Sequence, residues 1–371
     1  MTAHTEEFGR FFLPGPTEVR PEVLRAMLGP MMGHRTPEME ALMARIQPGL
    51  KHTFRTERPV YVVPSSGTGT MEMAVRSVAR RRVLCLVNGA FSERFAKIAE
   101  QSGLHTERLE VGWGENHAPA MLDEALSAGG FDTVTVCHSE TSTGVLNPIR
   151  ELAAVSRDHG AMICVDTVSS MAGAPVETDE WGLDFVVTGS QKSFALPPGL
   201  AFAVAQEPVL ERAATNPSRG LYFDVLEFER NLERNQTPNT PAVSLMYAAA
   251  VQLESILGEG IQNRWRRHQA MADRTYAWVD AMRAEGVDLG ILARAGYRSP
   301  TVTCVTVPSG IRAPDICAAT RARGWVIAPG YGKARDEMIR IGHMGDHTVA
   351  ELEALLDVLT AVFQDALATH G

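Results

Sequence analysis

Six short, almost wholly apolar runs alternate with amphipathic stretches through the first two thirds of the chain, and no other feature restricts the fold as much. The runs are residues 60–63, 83–87, 133–137, 162–165, 185–187 and 200–205. A strand that is apolar at every position, rather than at alternate ones, has to be buried on both faces. Between several of the runs lie residues 71–79, 92–101 and 148–158, where apolar residues recur at helical spacing. The order predicts an α/β unit, a mostly parallel sheet covered on both sides by helices.

Residues 216–241 break this rhythm. They hold Asn216-Pro217, Arg219-Gly220 and Thr237-Pro238-Asn239-Thr240-Pro241, and read as an extended connection with proline stops. Residues 244–257 and 263–285 then read as helices, the second long enough to bridge to another unit. After Ser299 the pattern restarts with strands at 301–307, 325–328 and 338–341 and helices at 314–323 and 348–367. A chain of 371 residues exceeds one small core, so a large domain over 1–257 and a small α+β domain over 258–371 are expected. No internal repeat or low-complexity tract interrupts them.

A net charge of −9 argues against nucleic acid or an anionic membrane as the main partner. No run approaches the ~18 apolar residues of a membrane span, and Glu6, Glu7 and Arg10 precede any apolar run, unlike a signal peptide. Cys85, Cys137, Cys164 and Cys304 sit in strand-like runs and Cys317 in a helical one, with no Cys-x-x-Cys pair. That pattern implies buried thiols in a reducing cytoplasm and no metal site.

In open α/β sheets, ligands bind at the carboxyl ends of the strands. Here five of those ends carry polar or glycine-bearing loops: Pro64-Ser65-Ser66-Gly67-Thr68-Gly69-Thr70, Asn88-Gly89-Ala90-Phe91, His138-Ser139-Glu140-Thr141-Ser142-Thr143-Gly144, Asp166-Thr167-Val168-Ser169-Ser170 and Thr188-Gly189-Ser190-Gln191-Lys192. The first offers backbone N–H groups at a helix N-terminus, which suits a phosphate, although Ser and Thr there also serve as plain helix caps. It lacks the Gly-Lys-Ser/Thr of a nucleotide P-loop. A lysine after one core strand and an aspartate after another suit an enzyme that holds an aldehyde cofactor as a Schiff base. Lys192 would be the covalent anchor, and Asp166 would keep a pyridine nitrogen protonated. Each residue also has a plain reading: a solvated lysine, an N-capping aspartate, a core Phe91, a solvent-facing Arg340 on its strand. The set is more specific than its members.

With these residues assembled, the chain resembles the pyridoxal-phosphate enzymes of fold type I, specifically the class V aminotransferases of the alanine–glyoxylate and serine–pyruvate kind. The resemblance runs from Leu13-Pro14-Gly15-Pro16-Thr17 to Arg340-Ile341-Gly342-His343-Met344-Gly345. Its most specific stretches are Ser142-Thr143-Gly144-Val145-Leu146-Asn147-Pro148, Val165-Asp166-Thr167-Val168-Ser169-Ser170 and Gly189-Ser190-Gln191-Lys192, followed by Pro197-Pro198-Gly199. It implies a seven-stranded-type sheet sandwiched by helices, a small C-terminal domain and pyridoxal 5'-phosphate on Lys192. By the same resemblance Asp166 partners the pyridine nitrogen and Phe91 stacks on the ring. Thr141 lies near the ring, Ser66, Gly67, Thr68 and Gln191 contact the phosphate or cofactor, and Arg340 binds the substrate α-carboxylate. Thr240, within Asn239-Thr240-Pro241, would reach the neighbouring subunit's phosphate, so a homodimer with shared sites and an arm over 1–20 crossing between subunits are implied. Two departures stand out: Phe91 replaces a tryptophan, and Thr237 stands where better-known members carry a tyrosine.

The resemblance implies ping-pong transfer of an amino group from alanine or serine to glyoxylate or pyruvate. Phosphoserine, 2-aminoethylphosphonate and pyridoxamine transaminases are the alternatives. A cysteine desulfurase-like lyase stands further off, since those enzymes place histidine before the lysine where this chain has Gln191. A catalytically dead scaffold or nucleotide-binding module would bind no such cofactor. His34-Arg35 would line the substrate pocket or, more simply, pair with a surface carboxylate.

Overall fold

The computed structural model describes residues 10–370. The apolar runs become the strands of a seven-stranded sheet: β1 (Tyr61–Val63), β2 (Arg82–Val87), β3 (His105–Glu110), β4 (Thr133–Cys137), and, after a small hairpin of β5 (Ser139–Glu140) and β6 (Val145–Leu146), β7 (Met162–Asp166), β8 (Phe185–Gly189) and β9 (Ala201–Ala205). The strand order is β1-β9-β8-β7-β4-β2-β3. From β3 to β8 every pairing is parallel, while β9 runs antiparallel to both β8 and β1. The reversal of β9 leaves β1 pointing the same way as β8. The carboxyl ends of β1, β2, β4, β7 and β8 therefore lie on one edge, as the five polar loops require.

One strand was not foreseen. β3 spells His-Thr-Glu-Arg-Leu-Glu, has no apolar run and is half-exposed along its length. It is the terminal strand, held by parallel pairing with β2 from Arg82↔His105 to Val87↔Glu110. An edge strand buries little, so charged side chains fit it and mask it in sequence.

Helices flank the sheet. Ahead of β1 come α1 (Pro21–Ala26) and α2 (Pro37–Phe54); α3 (Gly67–Val78), α4 (Ala90–Gln101), α5 (Pro119–Ser127), α6 (Ile149–Asp158) and α7 (Glu207–Ala214) then alternate with strands. Helices α3 and α4 begin directly at the loops after β1 and β2 and pack on the strands beside them. The stretch expected to be extended contains α8 (Val225–Leu232), a correction to the sequence reading. Asp224 caps it by accepting from Leu226 N at 3.1 Å, and Val225, Phe228 and Leu232 bury one face. Flanking prolines and glycine hid this short periodicity.

Helices α9 (Val243–Glu259) and α10 (Ile261–Ala284) lead to a second sheet of β10 (Gly290–Ile291), β11 (Thr303–Thr306), β12 (Ala328–Pro329) and β13 (Met338–Ile341), ordered β10-β11-β13-β12 and antiparallel throughout. Helices α11 (Ala313–Ala322) and α12 (Val349–His370) pack with it. The apolar residues sort into one large cluster around the seven-stranded sheet, a second around the four-stranded one and a small third group of Cys304, Ala334 and Met338. Phe12 belongs to the second, and Phe11 bridges to Val326 of the same chain. Residues 1–9 of the expected intersubunit arm lie outside the described residues. Among the described residues no helix is long and apolar enough to cross a membrane, and all five cysteines are free.

Candidate active site

Lys192 follows β8 and turns inward, only 7% exposed. Its Nζ donates to the carbonyl of Pro14, so the chain's first described segment lies against the lysine. Burial, then the like charge of Arg340, pushes the amine down from 10.5 to about 7. An amine so placed is partly neutral near pH 7, the state a nucleophile or base requires.

Asp166 ends β7, next to β8 in the sheet. One carboxylate oxygen accepts from Val168 N at 2.7 Å and the other from the Cys137 thiol at 3.1 Å. Burial raises it from 3.8 to about 6 against the pull of those bonds. Two hydrogen bonds leave lone pairs on the carboxylate for a third donor, and a protonated ring nitrogen fits that need.

Phe91 opens α4 and lies between cations, with Lys192 Nζ 5.8 Å and Arg94 Cζ 5.0 Å from its ring centre. Its position is set by Glu140, a fully buried carboxylate at the α4 N-terminus. Glu140 accepts from Phe91 N (3.2 and 3.3 Å), Ser92 N (2.8 Å), Ser92 Oγ (2.9 Å) and Ser142 Oγ (2.6 Å). A carboxylate there satisfies orphan N–H groups and complements the helix dipole.

Thr141 is buried in the next position, and its hydroxyl meets that of Ser169. Its carbonyl accepts from Arg340 Nη1 at 3.5 Å, while Arg340 Nε donates to Pro329 O at 2.9 Å. Arg340 is therefore not a solvent-facing strand residue. It is buried, crosses from the four-stranded sheet to the loop after β4, and lies 5.5 Å from the centre of the Tyr331 ring.

Ser66, Gly67 and Thr68 start α3, and among the described residues no side chain caps this helix; Gly69 N donates to the Ser66 carbonyl at 2.9 Å, which leaves the N–H groups of Gly67 and Thr68 for an anion. The simple capping role considered for Ser66 is absent. A Cβ on Gly67 would sit 2.5 Å from Val168, so glycine is what lets the α3 terminus approach the Asp166 loop. Thr68 Oγ1 accepts from Arg94 Nη1 at 3.4 Å. Gln191 contributes its carbonyl to Thr17 N at 3.0 Å.

Thr240 is exposed on the loop before α9, and no described hydrogen bond links it to this cluster. Thr237, buried beside it, donates to Asn239 O. Among the described residues no carboxylate pairs with Arg35. It donates to the carbonyls of Thr237 (2.6 Å) and Pro238 (3.0 Å) and so fixes the Thr240 loop. Glu140, Arg94 and Tyr331 join the cluster although sequence reasoning singled out none of them. Arg94 carried a signal, standing three residues after Phe91 on the same helix face.

The chemistry of the set fits pyridoxal phosphate: a buried amine, a buried carboxylate, an aromatic face, an uncapped helix terminus and a guanidinium. The aminotransferase class-V family profile matches residues 18–344. The chain belongs to the class V aminotransferases. It is a pyridoxal-phosphate-dependent transaminase of fold type I. An uncharacterized aminotransferase of Methanocaldococcus jannaschii is 41% identical over 90% of this chain and 87% of its own length. The L-aspartate–glyoxylate aminotransferase of Paracoccus denitrificans is 34% identical over 94% and 89%. The crystal structure of a ureidoglycine–glyoxylate aminotransferase from Bacillus subtilis superimposes with a TM-score of 0.90 at 28% identity, covering 98% of this aminotransferase and 94% of that chain.

Proposed function

We propose that this transaminase takes its amino group from a small amino acid, alanine or serine, and passes it to a small 2-oxo acid, glyoxylate or pyruvate. The observation that carries the reading is the pairing of a buried, pKa-lowered Lys192 with the buried guanidinium of Arg340. Two relatives named for glyoxylate, with different donors, support the acceptor.

In this reading Arg340 holds the substrate α-carboxylate, where a planar fork binds two oxygens at once. Lys192 would anchor the cofactor until the substrate amine displaces it, then take the α-proton on the freed Nζ and return it at the cofactor's C4′. Asp166 would keep the ring nitrogen protonated, with Phe91 stacked on the ring and Thr141 near it. Ser66, Gly67, Thr68 and Gln191 hold the phosphate end. Bound pyridoxal phosphate supplies an electron sink for the α-carbanion.

The same proposal includes a homodimer in which Thr240 serves the partner's phosphate site. Leu28, Met31 and Leu221, at 85%, 68% and 88% exposure, support a covered apolar surface. Five free thiols favour a reducing cytoplasm, and an extracytoplasmic location by cell fractionation would refute it. The two apolar clusters favour domains over 1–257 and 258–371; limited proteolysis that spares the α9–α10 junction would count against that boundary.

Lys192→Ala is expected to lose turnover and the borohydride-reducible chromophore together. Half-reactions with alanine, serine and aspartate, followed by loss of that chromophore in the parent, test the donor. Alanine or serine should react fastest; a preference for aspartate would overturn the donor assignment, and a fully active Lys192→Ala would overturn the scheme.

A further inference from the structure

Arg264, in the first turn of α10, is one of the most buried side chains in the molecule, at 1% exposure, yet it touches none of the groups assigned above to cofactor or substrate. Its Nη1 meets Glu259 Oε2 and Asp346 Oδ1, both at 2.8 Å, and its Nη2 donates to the carbonyl of Ser193 at 2.7 Å. Ser193 is the residue after Lys192. Asp346 lies in the turn that follows β13, the strand carrying Arg340. One guanidinium thus joins the backbone of the residue after the lysine to a carboxylate six residues beyond the carboxylate-binding arginine.

The neighbourhood reinforces both ends. Asp346 also accepts from Arg20 Nε at 2.8 Å and Gln252 Nε2 at 2.9 Å, so it is fixed independently of Arg264. His268, one turn along α10, accepts from Gly345 N at 3.0 Å, and Arg267 donates to the carbonyls of Gly345 (3.0 Å) and His347 (2.6 Å). On the lysine side the chain passes through Ala195 at φ 53°, a left-handed conformation that a residue with a Cβ holds only when its surroundings dictate it. Ala195 N closes that turn on Lys192 O at 2.8 Å, and Gly345 packs against it, since a Cβ there would lie 3.2 Å from Ala195. Arg264 Nε has no partner among the described residues, an uncompensated cost in a buried group and a sign that its orientation answers to the other contacts.

We propose that Arg264 is a positioning residue for Lys192: it pins the Ser193 peptide to the Gly345–His347 turn and so sets the register between the lysine amine and Arg340. The inference rests on the roles given to those two residues. Lys192→Ala tests those roles by loss of the covalent chromophore, whereas Arg264→Met keeps the chromophore, so the two ideas fail separately.

Arg264→Met should bind pyridoxal phosphate covalently, shift the pH midpoint of its visible absorbance, and lower kcat by about 10- to 100-fold, the scale of a misplacement near 1 Å. Removing one partner of a buried ion pair also destabilises, so the deciding variant is the apolar pair Arg264→Met/Asp346→Leu, which removes both buried charges and leaves Glu259 paired with Arg267 and Arg20 with Glu22. If this pair melts like the parent and remains slow, positioning is supported. If kcat and the absorbance midpoint return with stability, Arg264 is only scaffolding and the proposal falls. Should the pair not fold, Arg264→Lys decides, because one ammonium cannot span Asp346 and the Ser193 carbonyl as the fork does. A parent-like melting point with reduced kcat and a shifted midpoint supports the proposal; parent-like kcat, or kcat lost only in step with stability, overturns it.

Discussion

Because Lys192 is buried beside Arg340, its amine in the folded chain titrates near 7, while in the unfolded chain it is an ordinary lysine at 10.5. Between those values the unfolded state binds the extra proton, so the apoprotein gains stability as pH rises from about 7 toward 10, by at most ~1.4 kcal/mol per pH unit. Lys192→Met should flatten that segment in urea melts of apoprotein across pH 7–10; an unchanged slope would mean the amine is not held neutral. Asp166 works with the opposite sign. Its carboxyl is raised from 3.8 to about 6, so the folded state binds the extra proton and stability falls as pH rises through that window. At this scale Lys192, Asp166, Phe91 and Arg340 were legible, since each follows or sits in a strand whose apolar run marks it. Glu140 was not, because its value lies in five backbone and hydroxyl donors gathered from α4 and its own loop. Tyr331 was equally hidden, standing in a short loop far along the chain from the Phe91 ring it meets.

Helix α3 enters the site by its uncapped end, and Gly67 is the point of closest approach to the Asp166 loop. Gly67→Ala would push against Val168 at 2.5 Å and tilt that end away. The expected outcome is weaker cofactor binding, roughly tenfold or about 1.4 kcal/mol, measured by titrating apoprotein with pyridoxal phosphate. Val168→Ala in the same chain should recover most of the loss; no recovery would rule out the steric account. Elements with buried, periodic faces were readable: β4 and β13 match their expected bounds, and α9 and α10 lie within two residues of theirs. β3 and α8 were not, the first because an edge strand tolerates charge and the second because eight residues give barely two turns of pattern. Strand β12 lies further along than expected because Trp325 and Val326 face the amino-terminal segment instead of joining the sheet.

The proposed dimer makes a prediction that only the whole assembly can meet. If Thr240 completes a partner's phosphate site, introducing charge by Leu28→Glu together with Leu221→Glu should yield a species of one 40.3 kDa chain that retains cofactor poorly. Sedimentation equilibrium and cofactor retention on gel filtration read both properties. A monomeric variant that kept pyridoxal phosphate as tightly as the parent would refute the shared site. The presence of two cores was legible in the restart of the pattern after Ser299, but the membership of Phe12 in the second core was not, because nothing in local spacing signals a partner so far along the chain.

That distant partnership also orders events in time. Pro14 covers Lys192, yet its segment is held at Phe12 by Gly342 and Val326, and at Thr17 by the Met344 carbonyl, 327 residues downstream. Thr17 N can meet the Gln191 carbonyl early in synthesis, but the full set of these contacts can form only after residue 344 has been made. Strands β7 and β8, which lead to Asp166 and Lys192, pair only with strands that end by Ala205, so the sheet under the amine can assemble before the segment that covers it is fixed.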